Sequence, residues 1–167
     1  MIKKLTALLL ILLTSCTISY KFNGASIDYN LIKTISVSNF PIRAALVYPP
    51  LEEVFTNALR DSYTRQTRLE MVDVNGDLQV EGEITGYNLT PQAVGTDAYA
   101  TMTRLTITVK VTFINNKEPQ FNFENRTFSA YQDFSSDRML NDVQDELIEV
   151  ITEELVELIF NATVANW

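Results

Sequence analysis

Residues 104–113 read RLTITVKVTF and give the clearest strand signal in the chain, because apolar and polar side chains alternate there at every position. Such strict alternation predicts a β-strand with one buried and one polar face, as in an antiparallel sheet packed against a single layer. The apolar row is Leu105, Ile107, Val109, Val111 and Phe113, and the polar row is Arg104, Thr106, Thr108, Lys110 and Thr112. We expect the apolar row to lie under other elements and the polar row to stay uncovered by this chain.

Two strand regions precede this stretch. Residues 33–40 are β-branched and predict a first strand, and residues 69–74 predict a short one. Asn75-Gly76-Asp77 is typical of a turn, and a longer strand follows it at 78–86. Residues 90–101 are interpreted as a loop. In the longer strand, glutamine, glutamate and threonine residues alternate with the apolar and glycine positions Leu78, Val80, Gly82, Ile84 and Gly86.

One more strand follows a turn at residues 115–119. Residues 121–134 have the composition of a strand, but their apolar phase shifts between Phe123 and Phe128. An extra residue in one strand of a pair produces such a shift, so the sequence predicts a β-bulge there.

Helical periodicity appears in two regions. The first is residues 51–67, which follow Pro49-Pro50 and carry glutamates in the first turn and arginines near the last. The second begins after Ser136 or Asp137, either of which could cap it, and runs to about Ala162. Its apolar stripe faces away from a row of acidic residues: Asp142, Asp145, Glu146, Glu149, Glu153, Glu154 and Glu157.

This pattern predicts an α+β fold with the order β-α-β-β-β-α and one extra short strand. The two helices should pack on one face of a mixed, mainly antiparallel sheet of about four strands. The helix after the first strand permits a parallel pairing of that strand with a later one. Residues 32–167 are long enough to form one such domain.

The N-terminal region has the pattern of an export signal. Lys3 and Lys4 precede the apolar run LTALLLILL, which is too short to span a bilayer. Residues 13–16, Leu-Thr-Ser-Cys, match the lipobox of bacterial lipoproteins, and Cys16 is the single cysteine of the chain. We therefore expect a signal peptide at 1–15, lipidation of Cys16 with diacylglyceryl and palmitate-type acyl groups, and a tether at 16–31.

Lipidation at Cys16 would anchor the protein to a membrane, because two or more acyl chains hold firmly. Thr17 rather than aspartate follows the cysteine, which in the usual sorting patterns favours the outer membrane with the domain facing the periplasm. Removing Lys3 and Lys4 with the signal peptide would change the formal charge from −8 to −10. A chain this acidic is a poor match for nucleic acid.

Residue types also restrict the possible chemistry. The chain has no histidine, so it can form neither a Ser-His-Asp triad nor a histidine metal site. We expect no metal and no cofactor. Glu81 and Glu83, two apart on one strand, are the candidate carboxylate pair for a hydrolase. Alternating glutamates are also ordinary on an exposed strand face, and no flanking sequence supports catalysis.

The lipobox joined to this layout resembles the LptE family of outer-membrane lipoproteins. The resemblance covers most of residues 16–167 and rests on these segments: SYKFNGASI, KTISVSNFPIRAALVYPPLEEVFTNALRD, NGDLQVEGEITGYNLTPQAV, RLTITVKVTFINN and DVQDELIEVITEELVELIFNATVANW. It implies a non-enzymatic plug and assembly partner of the LptD β-barrel in lipopolysaccharide transport to the cell surface.

Barrel lumens are polar, so the polar strand row suits such a partner. The candidate partner-facing residues are Arg104, Thr106, Thr108 and Lys110. Direct contact with lipopolysaccharide, whose phosphates favour a basic face, fits the acidic charge less well than a plug does. The alternative function is a free periplasm-facing lipoprotein that acts as a binding or enzyme-inhibitor module.

Overall fold

The computed structural model describes residues 27–46, 48–93 and 101–165. The predicted signal peptide, Cys16 and most of the predicted tether lie outside the described residues, as do residues 94–100 of the predicted loop.

Five strands and two helices form the described chain. The strands are β1 (Thr34–Val37), β2 (Glu70–Met71), β3 (Leu78–Ala93), β4 (Thr101–Asn115) and β5 (Phe123–Ser135). The helices are α1 (Pro50–Gln66), which follows β1, and α2 (Leu140–Phe160), which follows β5. A short 3-10 helix at Pro119–Phe121 separates β4 from β5, and a π-helical turn at Asn161–Ala165 ends α2. None of the described helices is both long and apolar enough to cross a membrane.

The sheet has the strand order β2-β1-β3-β4-β5. β1 pairs in parallel with β2 and β3, and α1 supplies the crossover that a parallel connection needs. β3, β4 and β5 form an antiparallel meander. The predicted α+β class, the parallel pairing of β1 and the antiparallel meander are confirmed. The sheet has five strands where about four were expected, because the predicted short strand is part of it.

The core lies between the sheet and the two helices. All five residues of the β4 apolar row are fully buried, as predicted. Leu51, Phe55 and Leu59 of α1 are also fully buried. The Phe40 ring packs where β3 carries Gly82, since a Cβ atom there would lie 2.5 Å from the Phe40 ring. This position therefore requires glycine.

The chain between β2 and β3 covers the opposite face of β1. Asn75 has a φ of 56°, as the predicted turn requires, and Gly76 follows it. A Cβ on Gly76 would lie 2.6 Å from the Ser36 backbone nitrogen, so only glycine allows the turn to lie against β1. Ser36 is buried by this contact although it points away from the helices.

β3 differs from its prediction in length and in phase. It continues to Ala93, so residues 90–93 are strand, because they pair with β4 up to Thr101. Its register shifts between Ile84 and Gly86, which leaves Thr85 as an extra residue. Gly86 therefore lies opposite Thr108 on the polar face, where the simple alternation had placed it with the apolar positions, and Tyr87 takes the buried position.

The start of α2 also differs from its prediction. The helix begins at Leu140, with Met139 as the preceding residue and no side-chain cap, so the prediction of a Ser136 or Asp137 cap was wrong. β5 continues to Ser135, and a turn with a hydrogen bond from the Arg138 N–H to the Ser135 carbonyl follows. The Ser136 hydroxyl instead shares a 2.8 Å hydrogen bond with the Thr103 hydroxyl.

Candidate functional site

The face of β3, β4 and β5 opposite the helices is covered by no described element, and we call it the open face. Strand pairing places three polar rows side by side there, because residues directly opposite each other point to the same side of a sheet. The rows are Glu81, Glu83, Gly86, Asn88 and Thr90 on β3; Arg104, Thr106, Thr108, Lys110 and Thr112 on β4; and Thr127, Ser129, Tyr131 and Asp133 on β5.

The centre of the open face is rich in hydroxyl groups. The hydroxyls of Thr108 and Ser129 share a 2.9 Å hydrogen bond across β4 and β5. On the other side of Thr108, a Cβ atom on Gly86 would lie only 2.9 Å from the threonine Cβ. Glycine therefore lets Thr108 lie close to β3. The Thr85 hydroxyl, from the bulge, donates to the Thr108 carbonyl at 3.4 Å.

Arg104 is held rigidly at one end of the face. Its Nε and Nη2 atoms donate to the two Asp133 carboxylate oxygens at 2.7 and 2.9 Å, a bidentate pair. Its guanidinium also lies 3.6 Å from the centroid of the Tyr131 ring. The hydrogen bonds from Arg104 lower the pKa of Asp133, and the bonds to Asp133 raise the pKa of Arg104. Tyr131, which is 49% exposed, is the most solvent-exposed residue of this group.

Lys110 lies towards the other end of the β4 row. It is directly opposite Glu83 on β3 and Thr127 on β5. Neither of the two ion pairs formed among the described residues involves it. Because Asp133 neutralises Arg104, Lys110 is the β4 cation that remains available to an anionic group.

The four residues predicted to face a partner therefore lie in one row of the open face. The sequence reasoning missed their neighbours Ser129, Tyr131 and Asp133. These residues alternate with Phe128, Ala130 and Phe134, and that alternation could have identified them. However, the bulge at the start of β5 puts the alternation out of phase with Phe123, so the two faces of the strand could not be read from its first residues.

The candidate hydrolase pair lies on a surface rather than in a cleft. Glu81 is exposed and Glu83 half-buried on the open face. A cleft of about 310 Å³ lies elsewhere, between the two helices, and includes Ser62, Arg65, Glu153 and Glu157 in its lining. Among the described residues, no group of three or more acidic, histidine or cysteine side chains is placed to hold a metal ion.

Comparisons with known proteins place the chain in a sequence family. The family model described as LptE, lipopolysaccharide-assembly, matches residues 32–163. No curated protein sequence matches the chain.

Solved structures of similar fold come from several bacteria. The hypothetical protein CT253 from Chlamydia trachomatis is 11% identical with a TM-score of 0.50, and the match covers 77% of this chain and 93% of that one. A minor lipoprotein from Acinetobacter baumannii is 14% identical with a TM-score of 0.43, over 77% and 89% of the two chains. The PelC dodecamer from Paraburkholderia phytofirmans is 8% identical with a TM-score of 0.47, over 85% and 95%. At these identities the likeness is one of fold alone.

Proposed function

The chain belongs to the LptE family of lipopolysaccharide-assembly proteins, and from this premise we propose that it is the non-enzymatic plug and assembly partner of an LptD-like β-barrel. In this proposal a lipid on Cys16 anchors the protein in the outer membrane. The domain faces the periplasm or the barrel lumen, and the complex delivers lipopolysaccharide to the cell surface.

The open face is the observation that carries this proposal. It is three strands wide and polar, which suits the polar wall of a barrel lumen. Charges buried without partners weaken an interface. Here the Arg104–Asp133 pair already satisfies its own charges, and the Thr108–Ser129 bond satisfies two hydroxyls. These groups can therefore dock without leaving an unpaired charge, whereas Glu81, Glu83 and Lys110 on the same face need polar partners on the barrel wall.

The charge distribution favours a plug over a carrier of lipopolysaccharide. A carrier that holds phosphate groups needs several unpaired cations, whereas Lys110 is the β4 cation free of an ion pair in the described chain. A direct contact with lipopolysaccharide at Lys110 is compatible with the proposal but is not required by it.

Thr108→Glu tests the proposal, because this residue lies at the centre of the open face. The free domain should fold, since the new carboxylate can reach water, and lose at most about 1 kcal/mol with the Ser129 hydrogen bond. In a complex the same carboxylate would be buried without a partner, so co-purification of the barrel should fall sharply. The measurements are thermal unfolding of the domain and barrel recovery from detergent-solubilised outer membranes.

Thr64→Glu is the matched control, because Thr64 is exposed on α1 and the replacement is chemically identical. It should leave barrel recovery unchanged. Normal barrel recovery with Thr108→Glu would show that the open face is not the docking surface. Absence of any barrel from the wild-type preparation would instead favour a free periplasm-facing lipoprotein that binds or inhibits another protein.

A further inference from the structure

The sheet has one long edge with no strand beside it. β5 ends the strand order and has 13 residues, whereas β2 at the other edge has two. The outward backbone N–H and C=O groups of β5 therefore have no strand partner among the described residues. Proteins usually protect such an edge with proline, charged side chains or a bulge. β5 contains neither proline nor lysine, and its bulge and its one cation, Arg126, lie at or before the start of residues 126–135, which pair regularly with β4.

A groove runs beside this edge on the helix side of the sheet. It has a volume of about 280 Å³, and Gln132, Phe134, Leu147 and Val150 are among its lining residues. Val150 is 43% exposed and lines this groove. A strand added to β5 would point alternate side chains toward this groove, because side chains alternate between the two faces of a sheet. Those side chains should be apolar.

The negative charge of α2 indicates a second property of the added strand, which is that it should carry basic residues. α2 carries seven exposed carboxylates and no lysine or arginine, of which Asp145 bonds the Tyr48 hydroxyl and Glu153 and Glu157 line the cleft with α1. Glu146 lines the groove itself, and the cation that lines it is Arg138, just before the helix. A strand that carries lysine or arginine near its apolar positions would be attracted to this surface. A second copy of the chain would bring its own acidic α2 alongside, and like charges would oppose that pairing.

We propose that the free edge of β5 accepts an extended segment of a partner protein as a sixth strand, with apolar side chains in the groove and basic side chains against α2. Backbone hydrogen bonds would supply much of the affinity, and the groove and the acidic helix would supply the selectivity. The inference rests on the edge and the groove, and it holds whether or not the open face docks a barrel.

Photo-crosslinking in cells tests the proposal with the full-length chain. A benzophenone amino acid at Gln132, which is exposed beside the edge, should form one main adduct. Mass spectrometry of that adduct should identify a partner segment in which apolar residues alternate with others and lysine or arginine is frequent. The same amino acid at Asn57, exposed on α1, should not form this adduct. In the isolated complex, backbone amides of residues 126–135 should exchange hydrogen more slowly than in the free domain.

A charge substitution in the groove provides an independent test. Val150→Lys should leave the domain folded, because Glu146 and Glu154 lie one helical turn away on either side and can pair with the new ammonium. It should reduce the Gln132 adduct about tenfold or more by repelling a basic strand. Leu158→Lys is the control, since Leu158 is similarly exposed at 40%, lies one turn after Glu154 and is not part of the groove.

Several results would overturn the proposal. They are a Gln132 adduct with lipid, with residues 1–26 of the same chain or with a second copy, and the lack of any adduct. A partner adduct without slower exchange of the β5 amides would also contradict strand addition. An unchanged yield of the Gln132 adduct in the Val150→Lys variant would show that neither the groove nor basic residues of the partner contribute to binding.

Discussion

Asp77 shows how a single carboxylate holds the starts of β1 and β3 beside the end of β4. It accepts hydrogen bonds from the backbone N–H groups of Lys33 and Thr34 at 2.8 and 3.1 Å and pairs with Lys117 at 3.1 Å. Burial acts to raise its pKa, but the bonds from Lys33, Lys117 and Thr34 lower it by more, so the net pKa lies below the usual value. The folded protein therefore prefers Asp77 ionised.

The lowered pKa gives a pH prediction. A carboxylate whose pKa falls on folding stabilises the protein above its unfolded value of about 4 and loses that effect as the pH falls through the folded value. Asp77→Asn should therefore cost about 1 kcal/mol at neutral pH, and the difference from wild type should shrink below about pH 4. Urea unfolding from pH 2 to 7 measures this. Asp73→Asn, at an exposed neighbour, is the control, and a pH-independent cost at Asp77 would contradict the prediction.

At the scale of elements, the bulge in β5 determines which side chains face the helices. Glu124 and Asn125 together oppose Thr112, because Val111 pairs with Arg126 and Phe113 with Phe123. Asn125 has a φ of 52°, and its N–H donates to the Thr112 hydroxyl at 3.2 Å. The extra residue places Phe123 and Phe128 on the same side of the sheet, five positions apart.

The left-handed backbone at Asn125 makes this bulge testable. Asn125→Gly should leave the free energy of unfolding nearly unchanged, because glycine adopts this conformation without strain. Asn125→Val should cost about 1–2 kcal/mol, since a β-branched residue rarely adopts a positive φ. Chemical unfolding of both variants measures the difference. Equal stability of the glycine and valine variants would mean that the bulge conformation is not maintained in solution.

At the scale of the whole molecule, the helices and the β2–β3 link cover different parts of the sheet. The helices cover one face, and a 2.7 Å bond between the buried Tyr63 and Thr163 hydroxyls ties α1 to the end of α2. Burial raises the pKa of Tyr63 far above its usual value, so the phenol stays neutral. The link covers β1 on the other face. The open face and the β5 edge are what this arrangement leaves exposed.

The proposed membrane anchor, a lipid on Cys16, determines where in the cell the whole protein is found. Cys16→Ser removes the thiol that would receive the lipid, so the protein should appear in the soluble periplasmic fraction instead of the outer-membrane fraction. Labelled palmitate should be incorporated into the wild type and not into the variant. Thr17→Ser, which keeps the thiol, is the control. Palmitate on the serine variant would contradict lipidation at Cys16.

The fold class, the two helices and the identity of the two faces of β4 could all be predicted from the amino-acid sequence. Each of these follows from a repeat along one segment, such as the ten alternating residues from Arg104 to Phe113. Such a repeat can be recognised without knowing which other segments pack against it. The bulge in β5 was predictable for the same reason, because it interrupts such a repeat.

The bulge at Thr85, the length of β3 and the cluster of Arg104, Tyr131 and Asp133 could not be predicted and became visible in the folded structure. These features depend on which residue lies opposite which across two strands. Because Gly86 has no side chain, its residue type does not indicate which face of the sheet it lies on. Residues 90–93 form a strand only because β4 provides their hydrogen-bond partners. The free edge of β5 likewise exists only in the assembled sheet, since strand order depends on pairings between distant segments, which no single segment encodes.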